Sequence, residues 1–199
     1  MRFESRSIAV PVALAVSLFA GSVAAAGWSM DPARSHLAFI SIKAKDLAEV
    51  HTFTEMSGNI AEDGQVEVAM MLDSVETLIP IRNERMREFL FDTTDYKDAT
   101  LKAKLDPAVI AALKSGDIVD IAAEGNLSLH GATQPMVINM QAAKVADGTV
   151  MVASTKPLVI DAAKFGMSDG VEKLREIAGL DSISNAVPVT FVMTFVETP

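Results

Sequence analysis

The fold of this chain is decided by one stretch, Gly125-Asn-Leu-Ser-Leu-His-Gly-Ala-Thr-Gln-Pro-Met-Val-Ile-Asn-Met140. Apolar residues alternate with other residues on both sides of a His-Gly pair, as in two β-strands that each bury one face. Gly131 supplies the permissive backbone of a tight turn, and we expect Pro135 to close it. The in-phase apolar residues are Leu127 and Leu129 before the turn and Met136, Ile138 and Met140 after it. The stretch therefore predicts an antiparallel hairpin.

Most of the remaining chain repeats this alternation. With the two arms of the hairpin, which we extend from Ile118 to Ala142, about eight strands are predicted, at the spacing of a sandwich or barrel. Residues 45–52 are too polar to assign. The other predicted strands are Ser35–Lys43, Phe53–Ala61, Val66–Leu72, Leu101–Leu105, Val150–Ile160 with a bulge or edge at Pro157, and Val187–Phe195.

Two or three short helices are predicted between the strands. Ile81–Phe91 follows Pro80 and has the apolar spacing of an amphipathic helix. Ala108–Leu113 and Val171–Ala178 have helical composition and end near glycine. In contrast, Phe165 with its neighbours Gly166 and Met167 is expected to close a strand.

The first 26 residues have the pattern of a signal peptide. A weakly basic start with Arg2 and Arg6 precedes the apolar run Ile8–Ala20, and small residues follow at Ala24–Ala26. A permanent membrane anchor is the less favoured alternative. Residues 27–199 suit one domain with a sizeable core, and we expect a periplasmic or secreted protein without a stable membrane anchor.

Charge and cysteine content exclude several classes of function. The chain of 199 residues has a formal net charge of −9, which becomes −10 without Arg2, Glu4 and Arg6. Such an acidic surface repels phosphate backbones, so we expect no nucleic-acid partner. No cysteine is present, which excludes disulfides, thiol catalysis and cysteine-ligated metals. The oligomeric state stays open, and a homodimer is compatible with the sequence.

No pattern of catalytic or metal-ligating residues emerges. His36, His51 and His130 are far apart in sequence and lack the spacing of a metal site. Ser128 shares a predicted strand face with His130, but no nucleophile elbow or oxyanion loop surrounds it. We therefore expect no catalytic residue, no bound metal, no cofactor other than a bound lipid, and no enzymatic activity.

The apolar strand faces are more suggestive of ligand binding. The chain has 11 methionines, and Met70, Met136, Met140 and Met193 fall on in-phase positions of four strands. Flexible thioethers suit an irregular apolar ligand, although they also fill ordinary cores. A barrel of about eight strands either fills with side chains or holds one small ligand, and the alternation leaves both open.

An ordered set of motifs resembles the YceI-like family of exported lipid-binding proteins. The hairpin Gly125–Pro135 is the most specific, similar to the family's Gly-x-Leu-Thr-x-x-Gly-Val-Thr-Lys-Pro. The remaining motifs are Trp28 with Asp31-Pro32 and Ser35, Phe39, Ser74-Val75-Glu76-Thr77, Arg82, Met86-Arg87, Phe91, Tyr96 and Phe165-Gly166.

The resemblance implies an all-β, lipocalin-like extended antiparallel barrel. Its elongated pore would hold the tail of a polyisoprenoid, in some members an isoprenoid quinone. Four features depart from the family pattern, and they fall mostly on helix and loop positions: Asn83 in place of aspartate, Arg85 in place of histidine, Lys97 in place of proline, and a long segment over residues 168–184.

We therefore predict a binding protein that sequesters or transports a polyisoprenoid or similar long-chain lipid. A packed-core envelope stress or interaction protein without ligand is the alternative. The predicted pore rim is Arg82, Arg85, Phe89 and Phe165. The predicted pore lining, taken from alternation alone, is Leu37, Phe39, Val68, Met70, Leu101, Leu127, Leu129, Met136, Ile138, Met140, Phe191 and Met193.

Overall fold

Twelve strand segments form one antiparallel sheet in the computed structural model, which describes residues 27–198. The predicted leader lies outside the described residues. The segments are β1 (Trp28–Met30), β2 (His36–Lys43), β3 (Leu47–Phe53), β4 (Met56–Ile60), β5 (Gln65–Met71), β6 (Val75–Glu76), β7 (Asp98–Lys104), β8 (Ile118–Leu129), β9 (Ala132–Ala146), β10 (Thr149–Ser154), β11 (Leu158–Asp161) and β12 (Ala186–Glu197).

The twelve segments correspond to eight long barrel strands. Four of these strands are each broken once, so that β1 continues as β2, β3 as β4, β5 as β6, and β10 as β11. The long strand β12 pairs with β10 and β1 over one part of its length, and with β11 and β2 over the other. These pairings join the two ends of the sheet, which confirms the predicted antiparallel barrel of about eight strands.

Three short α-helices and several single helical turns connect the strands. Proline occupies the first position of the first two helices, where its missing N–H costs nothing. The helices are α1 (Pro80–Arg85), continued by a π-helix (Met86–Phe91), α2 (Pro107–Ala111) and α3 (Ser168–Ala178). Single 3-10 turns cover Pro32–Arg34, Leu72–Ser74 and Ala162–Phe165.

The β8–β9 hairpin has a tighter turn than predicted. Only His130 and Gly131 lie between the strands, with φ of +50° and +76°, the signs of a type I′ turn. Pro135 lies inside β9 opposite Asn126 and does not close the turn. In a two-residue hairpin the pairs alternate between hydrogen-bonded and non-hydrogen-bonded, and Asn126 and Pro135 form one of the non-hydrogen-bonded pairs. The backbone nitrogen of Pro135 therefore points away from β8, where its lack of an N–H breaks no bond of the hairpin.

Other local predictions were wrong where a strand is interrupted. Residues 45–52, left unassigned, contain most of β3, and the strand predicted from Phe53 begins at Met56. The predicted strand Val150–Ile160 is divided into β10 and β11 next to Pro157, the position where the sequence indicated a bulge or edge. Phe165 ends a 3-10 turn in place of a strand, and Gly166 follows it in the left-handed conformation.

The barrel is packed solid toward one end. The side chains that fill that end are each at most 9% exposed. They are Met30, Ile60, Leu105, Ile110, Leu113, Ala123, Ile138, Ala142, Val150 and Phe195. The opposite end, near the turn of the β8–β9 hairpin, is covered by the π-helix and α3. The barrel therefore has one filled half and one half that contains cavities.

We expect Gly131→Ala to destabilise the protein by about 2 kcal/mol, because a Cβ at this positive φ is strained and crowds its neighbour. The added atom would lie 3.0 Å from Cε1 of Tyr96. Gly116→Ala is the matched control, since Gly116 has φ +90° but nothing within 4 Å, and it should cost about 1 kcal/mol. Equal losses in urea unfolding would show that the Tyr96 contact has no effect.

Candidate functional site

An apolar cavity of about 180 Å³ lies in the hollow half of the barrel. All 22 residues on its wall are apolar, and they come from both the sheet and the covering helices. Such a wall offers no hydrogen-bond partner, and engineered cavities of this kind stay dry and bind apolar molecules. The cavity is therefore suited to an apolar chain.

Ten of the twelve predicted lining residues lie on this wall. They are Leu37, Phe39, Val68, Met70, Leu101, Leu127, Leu129, Met136, Phe191 and Met193. The other two, Ile138 and Met140, face inward as predicted but do not reach the cavity, since they lie in the solid half and are 1% and 8% exposed. Alternation specifies which face a residue occupies but not its depth along the barrel.

Several residues of the wall were not predicted. Val187 and Val189 are in phase with Phe191 on β12, and Leu158 and Ile160 alternate on β11, so the strand pattern could have identified these four. Ala99 is likewise in phase with Leu101 on β7. The others come from the end of β3, the helices and the turns: Phe53, Leu72, Leu90, Phe91, Ala162, Met167 and Val171.

A second cavity of about 290 Å³, here called the polar chamber, adjoins the first. The two share the wall residues Phe39, Leu90, Val171 and Val187. Its remaining apolar wall comes mainly from α1, the π-helix and α3, whereas β2 and β3 contribute polar and charged side chains. Those polar residues are Ser41, Lys43, Glu49 and His51. The two cavities together form a wholly apolar compartment and, beside it, a mostly apolar one whose wall also carries polar and charged side chains.

Glu49 lies at the centre of an ion network in the polar chamber. Its Oε2 is 2.6 Å from Nζ of Lys43 and 2.6 Å from Nη1 of Arg82. The hydrogen bond from Lys43, with the nearby Arg82 and Lys43 charges, lowers the pKa of the Glu49 carboxyl. Arg82 also donates from Nη2 to the carbonyl of Thr77 at 2.6 Å, while its buried Nε has no partner among the described residues.

His51 is the second buried polar group of the chamber. It is 3% exposed, its Nε2 is 2.8 Å from Oγ of Ser41, and its Nδ1 has no partner among the described residues. Burial, followed by the positive charge of Arg82, lowers the pKa of His51 to about 4. The ring is therefore neutral near pH 7, with one buried nitrogen that makes no hydrogen bond to the described residues.

The structure places the four predicted rim residues differently. Arg82 and Arg85 line the polar chamber. Phe89 is partly buried and lines neither cavity, and Phe165 is 3% exposed within the core. Placing Phe165 at the rim was therefore wrong, because the 3-10 turn directs its side chain inward where a strand end would have left it near solvent.

Close backbone contact holds α3 against the π-helix over the cavities. A Cβ at Gly170 would lie 2.4 Å from the carbonyl oxygen of Phe89, so only glycine permits this approach. The contact brings Val171 and Leu90 into the walls of both cavities. The helical cover therefore depends on one residue without a side chain.

The remaining polar candidates have local partners. Ser128 Oγ is 2.9 Å from Oγ1 of Thr133, and the rings of His130 and Tyr96 have centroids 4.4 Å apart. Among residues 27–198 no group of three or more His, Asp or Glu side chains could hold a metal ion. None of the helices described is both long and apolar enough to cross a membrane.

An antiparallel barrel that encloses an apolar cavity defines the class of lipocalin-like binding barrels. Within this class, the family model described as the YceI-like domain matches residues 28–195, and the chain belongs to that family. No curated protein is similar enough in sequence to count as a relative.

Two of the solved structures that are similar to this chain carry information about it. A polyisoprenoid binding domain from Saccharophagus degradans, implicated in plant cell wall breakdown, is 34% identical with a TM-score of 0.84, and the match covers 86% of this chain and 98% of that one. BcnA of Burkholderia cenocepacia is 17% identical with a TM-score of 0.65, and the match covers 83% of this chain and 98% of BcnA. The second similarity supports the fold alone.

We expect stability to fall between about pH 6.5 and pH 4 because of His51. The unfolded ring binds a proton near its ordinary pKa of 6.5, whereas the folded ring does so only near 4. Acid therefore favours the unfolded state, and this contribution is fully present above pH 6.5 and lost as the pH falls. Urea unfolding at pH 7.5, 6 and 5 measures the effect.

His51→Gln should flatten the pH dependence over this range, whatever its stability at pH 7.5. His36→Gln is the control for loss of a histidine, since His36 is exposed on β2. If His51→Gln and the wild type lose stability in parallel between pH 7.5 and 5, His51 is not the responsible group.

Proposed function

We propose that this protein is a carrier that binds a polyisoprenoid lipid with its tail in the apolar cavity and its headgroup in the polar chamber. The observation that carries the proposal is the wholly apolar wall of the cavity in a chain of the YceI-like family. The Saccharophagus degradans domain, 34% identical, is itself a polyisoprenoid binding domain. Binding needs no catalytic group, and we propose that the protein is not an enzyme.

The energetics suit an apolar tail. Burying one methylene contributes about 0.8 kcal/mol, so a five-carbon isoprene unit contributes about 3–4 kcal/mol. Association and ordering of the ligand cost roughly 4–15 kcal/mol. A few buried isoprene units therefore offset this cost without any hydrogen bond to the tail.

The methionines give the cavity room to adjust to a longer tail. Met70, Met136, Met167 and Met193 lie on the wall, and their unbranched side chains change rotamer at low cost. An apolar cavity of about 150 Å³ takes up benzene. The present volume of about 180 Å³ therefore receives the first part of a tail, and movement of these side chains extends it.

A neutral headgroup with carbonyl oxygens, such as an isoprenoid quinone, fits the chamber best. Glu49 pairs with Lys43 and Arg82 and offsets part of their charge, so the chamber attracts an anion less than its three cations, Lys43, Arg82 and Arg85, would by themselves. When Ser41 donates to Nε2 of His51, Nδ1 carries the proton. The Nε–H of Arg82 and the Nδ1–H of His51 are then two buried donors without partners among the described residues, and quinone carbonyls accept hydrogen bonds.

We place this carrier in the periplasm or outside the cell after cleavage of residues 1–26. A polyisoprenoid dissolves poorly in water, so movement through an aqueous compartment requires a protein that covers the tail. A packed-core stress or interaction protein without ligand is the alternative, and it requires filled inward positions. The cavity argues against that alternative.

We expect Ala99→Phe to abolish lipid binding, because the added ring would occupy the apolar cavity that Ala99 lines. Ala69→Phe is the matched control, since Ala69 lies between Val68 and Met70 on the opposite face of β5. Native mass spectrometry of the protein from its host, with titration of an added isoprenoid quinone, measures binding. Undiminished binding by Ala99→Phe, or an empty wild type that takes up no quinone, would contradict the proposal.

We expect the wild type to bind an isoprenoid quinone more tightly than a polyprenyl phosphate with the same tail. His51→Leu should weaken quinone binding about tenfold, the value of one lost hydrogen bond, and leave phosphate binding nearly unchanged. Ser128→Ala, outside both cavities, is the control. Tighter binding of the phosphate by the wild type would exclude the quinone and leave the carrier function standing.

A further inference from the structure

The segment Thr77–Ile81, here called the mouth loop, exposes apolar side chains at the opening of the polar chamber. Leu78 is 87% exposed, Ile79 43% and Ile81 51%. Ile79 and Ile81 also line the chamber, so the loop lies where the chamber meets solvent. Leu47, 50% exposed, is on the same face of β3 as two chamber residues and extends this apolar surface.

Hydrogen bonds hold the mouth loop in this exposed conformation. The backbone N–H of Thr77 donates to Oδ1 of Asn83 at 2.9 Å, and the N–H of Leu78 donates to the carboxylate of Glu76. The Thr77 carbonyl accepts from Arg82. Leu78 has φ +62°, a conformation that leucine rarely adopts. These hydrogen bonds and this backbone conformation together keep an apolar side chain in water.

Asn83, at a position where the YceI-like pattern has aspartate, contributes to that arrangement. Oδ1 of Asn83 accepts from the N–H and hydroxyl of Thr77, while Nδ2 donates to Glu76 at 3.1 Å. A carboxylate at this position could accept the first two bonds but not donate the third. Asn83 is 7% exposed, so it connects both sides of the loop from within the fold.

We propose that the mouth loop inserts into the surface of a lipid bilayer and docks the chamber opening there. The proposal rests on the proposed carrier function, since a polyisoprenoid resides in a bilayer and would pass between it and the cavity without crossing water. Exposed aliphatic side chains gain free energy on entering the acyl region, and arginines beside them remain at the headgroups. Arg85 follows Ile81 by one helical turn on α1 and lines the chamber, which gives it this position.

The size and charge of the surface favour a bilayer over a protein partner. A stable protein interface takes about 20–30 residues from each side, whereas the mouth loop offers three apolar side chains. Arg85 and Arg87 alternate with Glu84 and Glu88 along the following helical turns, so the surroundings are nearly neutral. Docking should therefore depend on apolar insertion and change little with salt or with the charge of the lipids.

Flotation of the mature chain with phosphatidylcholine vesicles tests the proposal. We expect the double variant Leu78→Asn/Ile81→Ser to reduce the bound fraction at least tenfold, asparagine being chosen because it tolerates positive φ. The matched control is Ile118→Ser/Val145→Ser, which removes two residues of 65% and 50% exposure far from the opening. Equal binding by the two double variants would overturn the proposal.

Two further measurements separate docking on a bilayer from self-association of the protein. Leu78→Trp should shift tryptophan emission to the blue with vesicles, and Ile118→Trp should not; no shift at position 78 would overturn the proposal. If the mouth-loop variant instead changes the sedimentation of the protein without vesicles, the surface joins two copies and the proposal is wrong.

Quinone binding in detergent distinguishes the docking proposal from the carrier proposal. Leu78→Asn alone, which changes a residue outside both cavity walls, should retain wild-type affinity there, while its transfer of quinone between vesicles slows at least tenfold. Vesicle binding without any quinone binding would refute the carrier function and leave docking in place. Loss of quinone affinity in detergent together with vesicle binding would show that the variant damages the chamber, and docking would be overturned.

Discussion

The structure depends on the pairing of β12 with strands on both of its sides. One half of β12 joins β10 and β1, and the other half joins β11 and β2. Because this closes the sheet, one face of each strand is turned toward a shared interior. The filled end, the apolar cavity and the chamber all lie inside the volume that this closure creates.

Breaks in four of the eight long strands allow this barrel to be both solid and hollow. At three of the four breaks, proline or a 3-10 turn removes ladder hydrogen bonds and lets the sheet bend. Beyond them the strands separate, and the π-helix and α3 fill the gap with Leu90 and Val171. Helices pack less completely against curved strands than side chains do within the ring, and space remains.

The polar chamber concentrates buried polar groups beside a wholly apolar wall. Buried donors without partners cost free energy, so His51 and Arg82 are better explained by binding than by stability. The exposed Leu78 is the converse case, an apolar group kept in water by a hydrogen-bonded backbone. Both arrangements cost stability, and both lie around the opening of the polar chamber.

The sequence by itself determined the antiparallel hairpin, the inward face of six strands and hence ten residues of the cavity wall, because a side-chain period of two depends only on local order. It could not determine that Ile138 and Met140 lie in the solid half, that Phe165 turns into the core, or that His51 meets Arg82. Depth along a barrel, the position of helices over its end, and a buried network all depend on contacts between residues far apart in sequence, so only the tertiary structure decided them.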